Sequence, residues 1–171
     1  EPEVDAYTRT YSQLPNGQTL LDNAKAYSDI ALFCITRSGA EDGELSYSQV
    51  KMTDTEQEVL GMIRENFGTV IVLVNSSNVM ELGMLEETDD NGNDVDAVLW
   101  VGHPGLTGNK AVAEIIAGKT NPSGKLVDTW ARDISSEQSF VNFGSNTNYF
   151  NAGNNRGQAF QIYYEGIYVG Y

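Results

Sequence analysis

The sequence predicts an α/β domain. The expected architecture is a three-layer α/β/α sandwich, with a mostly parallel sheet of about five to six strands and helices on both faces. Three observations carry this. Apolar runs of strand length recur at Ile30–Ile35, Thr69–Val74 and Ala97–Val101. Segments with helical spacing of apolar residues lie between them. Strand and helix alternate along the chain, which is the rhythm of right-handed crossovers between parallel strands. At 171 residues the chain fits one domain with a core of its own.

Taken in order, Glu1 to Pro15 is mixed and polar, and Asn16-Gly17 signals a turn. Leu20, Leu21, Ala24 and Tyr27 follow helical spacing and lead into the strand that starts near Asp29. That strand stops at Thr36-Arg37-Ser38-Gly39, and a loop carrying Glu41, Asp42 and Glu44 follows. Thr53 and Glu56 have the spacing of a capping box, in which the hydroxyl and the carboxylate satisfy each other's free amides. Val59, Leu60, Ile63 and Phe67 then give the helix one apolar face, and Gly68 is placed for a left-handed helix end.

Thr69 to Val74 is apolar and β-branched without alternation, as expected of a central strand covered on both faces. Asn78, with Glu81 three residues on, is spaced to cap a short helix. Glu86 to Asp96 is acidic and rich in Asn, a solvated loop. After the strand Ala97–Val101, the turn Gly102-His103-Pro104-Gly105 feeds a helix expected from Thr107, with Val112, Ile115 and Ile116 facing inward and Gly118 as its stop. Leu126–Trp130 is expected as a shorter strand and Ile162–Tyr171 as a closing one. Between them, Ile134 to Gln158 is rich in Asn, Ser, Gly and aromatics, and reads as a long irregular excursion.

The net charge of −14 leaves no basic stripe for nucleic acid and disfavours anionic membranes. No apolar run approaches the ~20 residues of a membrane-spanning helix. Cys34 is the single cysteine, so an internal disulfide is excluded; its place in an apolar run reads as a small core hydrophobe. One His and one Cys do not make a structural zinc site. Asp89 to Asp94 resembles part of a calcium loop but lacks its closing Glu. No metal and no cofactor is expected. Asn75-Ser76-Ser77 matches a glycosylation triplet, a pattern common by chance.

Two loops stand out for chemistry. Ser38 to Glu44 leaves the carboxyl end of a strand, where open α/β sheets handle ligands. Its glycines allow a sharp turn, and crowded acids raise one another's pKa, which suits a proton donor near neutral pH. The plain alternative is a solvated acidic turn. Gly102 to Gly108 is a glycine-rich turn into a helix, able to present free amides to an anion but without a phosphate-loop signature. His103 has no Ser or Cys partner in a recognisable arrangement and reads as a loop histidine lining a cleft.

Several stretches occur together in one known family. DIALFCITRSGAEDGE, MTDTEQEVLGMI, TVIVLVNSSNVMEL, DAVLWVGHPGLTGNKAVAEIIAGKTNPSGKLVDTW and YYEGIYVGY, in that order, resemble the α/β sandwich domain of the glycoside hydrolase family 3 β-glucosidases. The resemblance implies a retaining β-glucosidase acting on terminal β-D-glucosyl residues. The sandwich domain supplies the acid/base Glu and part of the cleft; a (β/α)8 barrel of the same parent chain supplies the Asp nucleophile. The position that matches the acid/base is Glu41. Family members usually have a small residue after that Glu and an Asp further on; here Asp42 and Glu44 stand in those places and remain weaker alternatives. Arg37, Ser38 and His103 are the expected substrate contacts, and oligo- or monosaccharide β-glycosides the expected ligands. The resemblance also implies that residues 1–171 are a fragment, with barrel and fibronectin-like domains elsewhere, and that the isolated piece lacks turnover. Sugar specificity and compartment stay open. A non-catalytic carbohydrate-binding or interdomain scaffold module is the alternative, and a flavodoxin-like nucleotide binder a third.

Overall fold

A computed structural model describes residues 13–37, 45–88, 92, 94–137, 140 and 166–168. Helix α1 (Leu20–Tyr27) leads into strand β1 (Ile30–Thr36). A one-turn helix α2 (Tyr47–Val50) and the longer α3 (Asp54–Asn66) precede strand β2 (Thr69–Asn75). Strand β3 (Ala97–Trp100) and helix α4 (Gly105–Ile116) follow.

The described strands form one parallel sheet in the order β1-β2-β3. Because spatial order follows chain order, right-handed crossovers land on one face of the sheet. The packed core lies on that face. Val70, Val72 and Val74 of β2 and Ile35 of β1 are buried, together with Leu60 of α3 and Met52, Met80 and Leu85 from the connections. Register explains the set: Ile35 pairs with Val74 and Phe33 with Val72, so alternate side chains of both strands share a face. On the other face Ile30 and Leu32 are about half exposed.

Local chemistry fixes the ends of these elements. Thr19 and Asp22 form a capping box on α1, and Thr53 and Glu56 form the expected one on α3. Asp29 and Asp96 anchor β2 at its amino end: Gly68 N donates to Asp29 Oδ1 at 2.9 Å, and Val70 N to Asp96 Oδ2 at 2.7 Å. Gly118 ends α4 at φ 69°, as expected.

Several expectations are corrected. Gly68 is not a left-handed helix end; α3 ends on extended Phe67, and Gly68 is needed because a Cβ there would come 2.4 Å from Asp29 Oδ2. Helix α4 begins at Gly105 rather than Thr107, because Pro104, with φ −70°, is already set for the helix entry. Asn78 caps no helix; a 3₁₀ turn forms later, at Gly83–Glu86. Cys34 is exposed rather than a core residue, since Ile35 takes the core-facing step of the alternation.

Leu126–Trp130 is not a strand. Leu126 and Val127 are exposed, and Trp130 is held by Trp100, with ring centroids 5.8 Å apart. Two apolar residues followed by Asp128 give neither an alternating face nor a continuous buried run. Of the closing strand Ile162–Tyr171, the described residues Gly166–Tyr168 form a 3₁₀ turn instead. Gly166, at φ 56°, breaks an extended run. The remainder of that expected strand lies outside the described residues, as does most of the excursion Ile134–Gln158, and the described sheet has three strands against the five to six expected.

Candidate functional site

Parallel strands bring their carboxyl ends to one rim. Arg37 follows β1, Ser76 follows β2 and the Gly102-His103 turn follows β3, so these three chain segments share that rim. The turn needs Gly102, whose φ of 57° favours glycine. His103 is exposed on it.

Arg37 is the best-defined polar group of the rim. Its Nη1 and Nη2 donate to Glu56 Oε1 and Oε2 at 2.7 and 2.6 Å, a bidentate pair with both side chains largely covered. Its remaining N–H groups go to carbonyl oxygens: Nη1 to Thr36 at 2.9 Å, Nη2 to Lys51 at 2.9 Å and Nε to Gln49 at 3.2 Å. A guanidinium has five N–H donors, and all five are engaged within the chain. The Glu56 carboxylate raises the Arg37 pKa further. Burial alone would raise the Glu56 carboxyl, but Arg37 and the Thr53 amide outweigh it and hold Glu56 below the usual carboxylate range.

Beside this pair lies a small cavity of about 60 Å³ lined by Arg37, Gln49, Ser76, Asn78 and Met80. Ser76 is fully buried; its hydroxyl donates to the Asn78 carbonyl at 3.0 Å, and its own carbonyl accepts the Trp100 indole N–H at 2.6 Å. The Asn75 side-chain oxygen is buried without a hydrogen-bond partner. Lower down, Glu81 accepts the Tyr47 hydroxyl at 3.0 Å and the Ile134 amide at 2.9 Å, which holds the phenol's pKa above its usual value. Among the described residues, no group of three His, Cys, Asp or Glu side chains is placed to hold a metal ion.

A larger apolar groove of about 850 Å³ runs between β3 and α4, walled by Val98, Trp100, Val112, Ile115, Leu126 and Trp130.

Comparison with known proteins identifies the chain. The profile described as "Glycosyl hydrolase family 3 C-terminal domain" matches residues 8–171. The chain belongs to that family. It is 32% identical over 161 residues to a beta-glucosidase of Ruminococcus albus, covering 93% of this chain and 15% of that protein. It is 29% identical to beta-glucosidase A of Butyrivibrio fibrisolvens, covering 90% of this chain and 20% of that protein. The crystal structure of a beta-glucosidase from Paenibacillus barengoltzii superposes with a TM-score of 0.64 at 31% identity, over 78% of this chain and 14% of that one. The family 3 domain therefore spans a minor part of the relatives it matches.

Within the family 3 domain, the structure brings Arg37 and the His103 turn to one rim. Glu41, Asp42, Glu44 and Ser38 lie outside the described residues. Glu56 is the rim residue that sequence reading missed as a site group. Its capping-box role was visible, but its second task, holding Arg37, depends on a contact 19 residues away in the chain.

Proposed function

We propose that this family 3 domain supplies the general acid/base of a retaining β-glucosidase from the loop Ser38–Glu44, with Glu41 as the donor and Asp42 or Glu44 as weaker alternatives. The observation that supports it most is the anchored departure point of that loop. Arg37, the residue before it, is fixed at the carboxyl end of β1 in a chain that belongs to a family with β-glucosidase relatives.

The chemistry follows from two carboxylates about 5 Å apart. A nucleophile from the (β/α)8 barrel of the parent attacks the anomeric carbon. Glu41 protonates the departing glycosidic oxygen. In the second step the Glu41 carboxylate takes a proton from water as the glycosyl-enzyme is hydrolysed. Ser38, the residue after Arg37, and His103, on the turn after β3, contact the sugar. With the nucleophile on another domain, the isolated 171-residue chain does not turn over substrate.

Azide tests the assignment. In the parent enzyme, Glu41→Gln should stall hydrolysis of the glycosyl-enzyme, and added azide should restore turnover with β-glucosyl azide as product. Full hydrolysis by Glu41→Gln without azide would remove Glu41 from the role.

A further inference from the structure

Arg37 does more than end a strand. Its guanidinium touches chain on both sides of the acid-bearing loop: the Thr36 carbonyl before it, and the Gln49 and Lys51 carbonyls after it. The same fork grips Glu56 in the first turn of α3. Glu56 in turn accepts the Thr53 amide at 2.8 Å and the Thr53 hydroxyl at 3.1 Å. The Arg37 amide donates to the Asn75 carbonyl at 3.0 Å, tying the same residue to β2. One residue thus ties the end of β1 to residues 49 and 51, to the first turn of α3 and to β2.

We propose that Arg37 is a positioning residue for the proton donor: by tying Thr36 to Gln49 and Lys51, the chain on either side of residues 38–44, the Arg37–Glu56 pair sets where the acid stands against the glycosidic oxygen. With no N–H left over, Arg37 acts through the loop and not by contact with sugar. This role rests on the loop supplying the acid/base. Lysine cannot fill it, since an ammonium is a point charge with three donors and Arg37 serves five acceptor contacts from a planar fork.

Leaving groups provide the test, in the full-length parent. The kcat/KM value reports formation of the glycosyl-enzyme. That step needs the acid for a methyl β-glucoside and hardly at all for a dinitrophenyl β-glucoside. A misplacement of about 1 Å costs on the order of 10²-fold. Arg37→Met should therefore lower kcat/KM about that much on the methyl glucoside while the dinitrophenyl glucoside keeps most of its rate. Glu56→Gln, which keeps the side-chain shape, should show the same selectivity more weakly. The double variant should be no worse than Arg37→Met alone, because the two residues act as one unit. An equal loss on both substrates, or no loss on either, overturns the proposal. Glu41→Gln measured beside them separates the two claims: selectivity in Arg37→Met without selectivity in Glu41→Gln retains the positioning role and moves the donor to Asp42 or Glu44.

Discussion

Arg37 Nη2 lies 2.6 Å from Glu56 Oε2, and the two side chains meet through a second hydrogen bond of 2.7 Å. The pair joins the carboxyl end of β1 to the amino end of α3, and the acid-bearing loop starts at its edge.

Stability should depend on this pair in a defined pH window. The folded-state pKa of Glu56 is lowered from 4.5. A lowered carboxyl contributes stability that is fully present above the unfolded-state value and is lost as pH falls through the folded-state value. The thermal midpoint of the native domain should exceed that of Glu56→Gln at pH 6–7. The gap should narrow as the pH falls below the ordinary carboxylate range. A gap that widens in acid would mean that the pair is not ionised as drawn.

Two glycines should rank predictably. Gly83→Ala would bring a Cβ 2.5 Å from the Arg132 carbonyl oxygen, a backbone atom with little freedom to move. Gly68→Ala meets the Asp29 carboxylate at 2.4 Å, and that side chain can swing away if it gives up its bond to the Gly68 amide. Gly68→Ala should cost about 1.5–3 kcal/mol, the range for a lost hydrogen bond to a charged group. Gly83→Ala should cost more. Urea midpoints of both variants check the order, and Asp29→Ala should remove most of the Gly68→Ala penalty.

Thr53→Ala removes the N-cap of α3. The loss should be about 1 kcal/mol in chemical unfolding. Because Glu56 also loses the Thr53 hydroxyl, while the backbone amide of residue 53 remains, the Arg37 pair should loosen slightly with it. A double-mutant cycle of Thr53→Ala with Arg37→Met should therefore depart from additivity.

Cys34 should react in the native state. Its exposure, on the face of β1 opposite Ile35, predicts labelling of the folded domain by a small maleimide without denaturant. Labelling that waits for global unfolding would place Cys34 in a covered setting.

Strands β1 and β2 were legible because their signal is local. Thr69–Val74 is continuous, apolar and mostly β-branched, and Ile30–Ile35 is continuous and apolar with fewer β-branched residues. The capping box Thr53–Glu56 was equally local. Leu126–Trp130 misled because two apolar residues after a turn look like the start of a strand, whereas the outcome depends on what they pack against. Gly68 misled for a related reason: its need for glycine comes from Asp29, which is 39 residues away. The rim was legible as a set of strand ends, since loops at strand ends follow from topology. Arg37 was legible as a rim residue but not as a clamp, because three of its five acceptors are backbone carbonyls, which leave no trace in a sequence, and the other two belong to Glu56, 19 residues away.

The most direct measurement is kcat/KM of the parent enzyme carrying Glu41→Gln, on a methyl β-glucoside and on a dinitrophenyl β-glucoside. If Glu41 donates the proton, the first should fall by on the order of 10²–10⁴-fold, the span of general acid catalysis, and the second should stay near the native value. Native rates on both substrates would contradict a proton-donating role for Glu41.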